Sequence, residues 1–176
     1  MIAHLILTVI ADDRPGVVEQ LAEVIANHNG NWLESQLAHL HGKFAGIVAI
    51  AITEQNLAPL QQALTQLGDK GFSVATQLSS PQTTSQFEAT FELTIVGPDR
   101  SGIIKEVSGA LARRGINLLE LSSECSSMPW SGEPMFTARG KAQMPDNINL
   151  AELDEALDLI AEELGLDIAL EDRQEA

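Results

Sequence analysis

The segment ADDRPGVVEQLAEVIANHNGNW, residues 11–32, returns as GPDRSGIIKEVSGALARRGINL at residues 97–118, offset by a constant 86 positions. Leu7, Thr8, Asp13, Arg14, Gly16, Ala26, Asn31, Leu33 and Glu34 meet identical residues at 93, 94, 99, 100, 102, 112, 117, 119 and 120. The register runs without a gap, so every element and turn in this stretch keeps its length. Whatever the first half folds into, the second half must fold into as well. Copies of about 80 to 90 residues are each large enough to own a core. The two are expected at 1–78 and 87–176, joined by a polar, proline-containing linker, SSPQTTSQ, at 79–86.

Each copy reads as βαββαβ. HLILTVIA, residues 4–11, is an apolar run suited to a central strand. DDRPG breaks it, with Pro15 expected in the first helical turn, where a missing N–H costs nothing. Val17, Val18, Leu21, Val24 and Ile25 then follow helical spacing, and NHNG at 27–30 tolerates a left-handed C-cap. A strand over 31–40, a turn at 41–43 and FAGIVAIAIT to residue 53 make a hairpin. Leu57, Leu60, Ala63, Leu64 and Leu67 mark a second helix stopped by Gly68 and Gly71, and FSVATQL closes the unit as a strand. This order predicts an α+β, ferredoxin-like unit, with an antiparallel sheet and both helices on one face.

The second copy repeats the order with strand 88–97, helix 101–114, strands 116–125 and 135–144, helix 150–163 and strand 166–172. CSSMPWSGEPMF stands where the first copy has HGKF, so the second hairpin connection, over 125–136, is longer and reads as either an insertion or a lid. Trp130 within it suits a pocket cover or an interface equally.

Charge excludes one class of function. The chain carries a net −15, of which −4 (3 basic against 7 acidic residues) falls in 1–86 and −11 (7 against 18) in 87–176. Phosphate contacts supply most nonspecific nucleic-acid affinity, so a chain this acidic is not expected to bind nucleic acid directly. No apolar run is long enough to span a bilayer, and MIAHLILTVIADD lacks the basic start of a signal peptide. A single cysteine, Cys125, forms no internal disulfide, and a cytoplasmic location is expected.

The candidate site is the repeated element strand–Asp–Arg–x–Gly–helix, with Asn opening the next strand. Gly16 and Gly102 let a ligand reach the backbone, and the N–H groups that follow, at Val17 and Ile103, suit a carboxylate at a helix N-terminus. Asn31 and Asn117 offer both a donor and an acceptor, as an α-amino acid requires. Asp13 and Asp99 either fix the loop, meet an ammonium, or simply cap their helices. His39 and His41 read as a turn-end surface pair rather than metal ligands, and Cys125 as a bystander thiol. No nucleotide-binding, hydrolase or zinc signature is present, and neither catalysis nor a cofactor is expected.

DRPG at 13–16 with GNW at 30–32, and DRSG at 99–102 with GIN at 115–117, resemble the ligand loop of ACT domains, small amino-acid-sensing modules. Two such units, with MPWSGEPMF in the second hairpin, are similar to the glycine cleavage system transcriptional repressor family over about residues 3–172. The resemblance implies ligand-binding roles for Asp13, Arg14, Gly16, Val17 and Asn31, and for Asp99, Arg100, Gly102, Ile103 and Asn117. It also implies a small amino acid, glycine first, as ligand, and a DNA-binding regulator protein as partner. Pairing of ACT units is implied too, within one chain or in a homodimer. Ser101, Ile116 and Leu118 replace Pro15, Gly30 and Trp32, so the two sites are not expected to bind equally. The alternatives are a regulatory subunit of a metabolic enzyme, a dimerisation scaffold, and an enzyme of the formyltetrahydrofolate deformylase type, which begins with a similar DRPG segment.

Overall fold

In a computed structural model, residues 1–79, 89–128, 131–145 and 149–172 are described. The chain divides into two compact units, Met1–Thr83 and Thr84–Ala176. The first holds β1 (Ile2–Asp12), α1 (Val17–Asn27), β2 (Asn31–Leu40), β3 (Lys43–Thr53), α2 (Glu54–Gln66) and β4 (Phe72–Ser79). The second holds β5 (Ala89–Pro98), α3 (Ile103–Ala112), β6 (Asn117–Ser127), β7 (Pro134–Met144), α4 (Leu150–Leu164) and β8 (Asp167–Asp172). The sheets run β2-β3-β1-β4 and β6-β7-β5-β8, antiparallel throughout. The expected α+β, ferredoxin-like fold is present twice.

Alternation along β1 explains how the sheet meets its helices. Leu5, Leu7, Val9 and Ala11 are buried, while Ile2, His4, Thr8 and Ile10 on the other face are exposed. The buried set packs with Val48, Ile50 and Ile52 of β3, Leu21 and Ile25 of α1, and Leu60 and Leu64 of α2. Phe91, Leu93 and Ile95 of β5 do the same in the second unit with Val107, Leu111, Leu153 and Leu157. The continuous apolar run of β1 therefore has two purposes. Its odd positions form the core, and its even positions place isoleucines on an open sheet face.

Several boundaries differ from expectation for local reasons. Pro15 lies outside α1, because Gly16 is the N-cap residue and the helix begins at Val17. Gly68 does not stop α2; it sits inside a 3₁₀ turn, Leu67–Lys70, and the left-handed residue that ends it is Gly71. At the end of α1 the left-handed position falls on Asn29, φ 58°, and in the second unit on Gly115, φ 70°. β6 runs on to Ser127, so Cys125 is a strand residue, paired with Phe136, and the longer connection begins only at Met128. The expected linker, apart from Ser79 at the end of β4, lies outside the described residues, as does Trp130.

Each first crossover ends in the same irregularity. Trp32 pairs with Ile50 and Glu34 with Ala49, so Leu33 is an extra residue; Leu119 repeats this between Leu118 and Glu120. The matched Leu-Glu pair of the repeat is thus a twice-built β-bulge in the outer strand.

Candidate functional site

At the end of β1 the chain must turn from the sheet into α1 within four residues. Gly16 accomplishes this at φ 87° and Gly102 at φ 101°, a region that costs other residues about 1–2 kcal/mol. A Cβ on Gly16 would meet nothing closer than 3.7 Å, so its backbone angle, rather than crowding, demands glycine. No side chain caps α1 or α3. The first-turn amides of Val18 and Glu19 are therefore left without helical acceptors, at the positive end of the helix dipole. A cleft of about 320 Å³ opens there, bounded by Asp13, Arg14, Gly16, Val17, the first turn at Val18 and Glu19, and Phe44.

The aspartates do not cap their helices. Asp13 Oδ2 accepts a 2.6 Å hydrogen bond from Nδ1 of His39, near the far end of β2. The neighbouring Asp12 turns to Lys43, its cross-strand partner, and that contact holds the Asp12 carboxyl below its usual range, first by the hydrogen bond and then by the lysine's charge. The loop backbone is tied to the hairpin in both units, Asp13 N–H donating to Gly42 and Asp99 N–H to Pro134, each at 3.0 Å. Arg14 donates through Nη2 to the Lys70 carbonyl at 2.9 Å, bracing the loop against the turn before β4. Arg100 lies near the corresponding turn, 3.9 Å from where a Cβ on Gly165 would stand.

His39 and Cys125 are 86 residues apart, so they are counterparts in the repeat. Where Asp13 has an imidazole, Asp99 has a thiol. Partial withdrawal from water raises the pKa of the exposed Cys125, and the charge and hydrogen bond of Asp99 raise it further. Cys125 should therefore react with iodoacetamide at about pH 8 more slowly than free cysteine does. Asp99→Asn should speed the reaction; an unchanged rate would mean that the carboxylate does not reach the thiol. His41 stands beyond the end of β2, in the turn, at φ 48°, and so does not share a strand face with His39. Among the described residues no cluster of metal-binding side chains forms.

Of the residues picked from sequence, Asp13, Arg14, Gly16 and Val17 come together at the cleft, and Asp99, Arg100, Gly102 and Ile103 form the matching loop. Asn31 does not join them within its unit. It pairs with Ala51, which pairs with His4, so it sits at the opposite end of the sheet from Asp12. Eight residues of β1 separate the two ends, roughly 27 Å at about 3.4 Å per residue. Asn117, opposite Gln143 and so level with Thr90, is placed the same way. His39 is the side chain that sequence reasoning passed over.

No helix among the described residues is long and apolar enough to cross a membrane. ACT-domain profiles match residues 3–76 and 91–157. No curated protein matches the sequence. Among solved structures, a protein of unknown function from Galdieria sulphuraria is 30% identical, covering 98% of this chain and 99% of its own, with a TM-score of 0.82. A protein provisionally described as a glycine cleavage system transcriptional repressor is 20% identical, with 99% of both chains covered and a TM-score of 0.74. The latter likeness speaks for the fold alone. A formyltetrahydrofolate deformylase from Pseudomonas syringae pv. tomato is 33% identical over 52% of this chain and 30% of its own, with a TM-score of 0.42. With its two βαββαβ units and both profile matches in order, the chain belongs to the ACT-domain family, as a tandem of two ACT domains.

Proposed function

We propose that the protein is a non-enzymatic regulator that senses a small amino acid, with glycine as the ligand, and represses glycine cleavage through a DNA-binding partner protein. The observation that carries this reading is the uncapped start of α1, set behind a left-handed glycine and opening on a cleft of about 320 Å³. Its amides suit a carboxylate, and the Asp13 carboxylate, held by His39 through Oδ2, is the anion beside them for an ammonium. The choice of glycine and of transcription follows the sequence resemblance of the two DR-x-G loops and MPWSGEPMF to the glycine cleavage system transcriptional repressor family. A net charge of −15 supports an indirect mode, since the chain would be repelled by nucleic acid. Asn31 and Asn117 stay candidate ligand contacts in this reading, at the end of their own sheets opposite the loop.

Calorimetric titration of the full chain with glycine, then with serine and alanine, tests the sensor reading. Saturable glycine binding is expected, weakened at least tenfold by Asn31→Ala/Asn117→Ala. An unchanged affinity in that variant removes the asparagines from the site. Absence of binding by any amino acid, in folded protein, removes the sensor reading altogether. Capture of a DNA-binding protein, rather than a metabolic enzyme, in a glycine-dependent pulldown tests the choice of partner.

A further inference from the structure

The face of each sheet turned away from the helices is chemically different in the two units. On the first sheet, Gln36, Ile47 and Thr8 form one cross-strand row, and Ala38, Ala45 and Ile10 the next. The corresponding rows of the second sheet are Ser122, Arg139 and Thr94, then Glu124, Thr137 and Val96. Ser122, Glu124, Thr137 and Arg139 thus stand as a square of neighbouring side chains on one face. Where these rows of the first unit are largely apolar, those of the second hold one cation, one anion and three hydroxyls.

A concave pocket of about 220 Å³ opens over this square, lined by Ser122, Ser123, Glu124, Thr137 and Arg139. The adjoining row sets Lys141 between Glu120 and Glu92, one cation against two anions. Arg139 has no such flanking pair. Its cross-strand neighbours are the uncharged Ser122 and Thr94, and it makes no ion pair among the described residues. Glu124 is the one carboxylate lining the pocket, and it lies diagonally across the square. Diagonal neighbours on paired strands stand roughly 7–8 Å apart. Arg139 and Glu124 both line the pocket, so it offers a cation and an anion at opposite corners.

We propose that this pocket is a second ligand site, for a small zwitterion of the α-amino acid class. Arg139 takes the carboxylate, in the paired geometry that guanidinium favours, and Glu124 takes the ammonium. Ser122 and Thr137 supply hydroxyls that donate or accept as the ligand requires. The pocket's own charges sum to zero, which matches a ligand of no net charge. A simple anion would leave Glu124 opposing it, and a simple cation would leave Arg139 unmatched. The site is separate from the helix-start cleft, and it rests on the amino-acid-sensing reading for the ligand's class but not for its place.

Isotope-labelled full-length protein titrated with glycine, serine and alanine, and followed by amide chemical shifts, tests the proposal. Saturating shifts at residues 122–124 and 137–139 are expected. Arg139→Gln and Glu124→Gln, both at exposed positions, should leave the melting temperature unchanged and weaken those shifts at least tenfold. Shifts at Val18 and Glu19 should persist in both variants. Acetate and methylamine, each carrying half of the zwitterion, should bind at least tenfold more weakly than glycine. Glycine shifts confined to the helix start, or full affinity at β6 and β7 in Arg139→Gln, overturn the second site while leaving the sensor reading intact. Shifts at β6 and β7 with none at the helix start support the second site and sink the cleft. No shift with any amino acid sinks both.

Discussion

Gly46→Ala should destabilise the first unit by about 3 kcal/mol, at the upper end of what overpacking usually costs. A Cβ at this position would overlap the Gln36 carbonyl oxygen and stand 2.8 Å from the Leu37 Cα. Both are backbone atoms of the paired strand β2, so no side-chain rotation relieves the contact, and part of the β2–β3 ladder must open. At about 4–8 °C per kcal/mol for a domain of this size, the first unit should melt roughly 12–24 °C lower. The second unit supplies an internal control, because buried Ala138 holds the equivalent place opposite β5. Its transition should be unmoved by the substitution. A melting temperature within about 2 °C of the parent would show that the two strands are not so close at Gly46.

Under the proposed sensor function, Gly16→Val should reduce glycine affinity at the first loop by more than tenfold while leaving most of the fold intact. The glycine's φ of 87° costs an L-residue about 1–2 kcal/mol, and a β-branched side chain is worse placed than most. The chain can relieve that cost only by rotating the turn, which swings the Val18 and Glu19 amides away from the cleft. Val17 and Leu21 remain anchored in the core, so the helix itself should survive. Calorimetry of Gly16→Val, Gly102→Val and the double variant separates the contributions of the two loops. Undiminished binding in the double variant would show that neither helix start holds the ligand.

The element order was legible because two signals agreed. Hydrophobic spacing marked the strands and helices, and the 86-residue offset made each assignment answer for two places. Boundaries were less legible where backbone conformation, rather than pattern, decides them. Pro15 suits a first helical turn by propensity, yet the left-handed Gly16 after it delays the helix until Val17. The geometry of the glycine loop was legible in the motif, and the position of the asparagines in the sheet was not. Asn31 stands close to Asp13 in the motif as written, but the crossover through α1 returns the chain to the start of the sheet before β2 begins. That separation follows from the βαβ topology itself, so the signal was present. The same reasoning places residue 39 level with Ala11, which is how His39 comes to meet Asp13. The brace from Arg14 to the Lys70 carbonyl spans 56 residues and depends on the shape of a 3₁₀ turn. No pattern along the chain encodes it.

The twice-built bulge at Leu33 and Leu119 has a consequence for what each sheet's outer margin can recruit. An outermost strand carries a row of unanswered amides and carbonyls, a standing template for any extended peptide that drifts alongside. A single surplus residue throws that template out of step, so a newcomer pairing in register from one end loses registry on passing it. On β2 the uninterrupted stretch is Glu34–Leu40, and on β6 it is the longer Glu120–Ser127. Unregulated polymerisation along either margin is thereby discouraged, and the second half keeps the longer regular stretch.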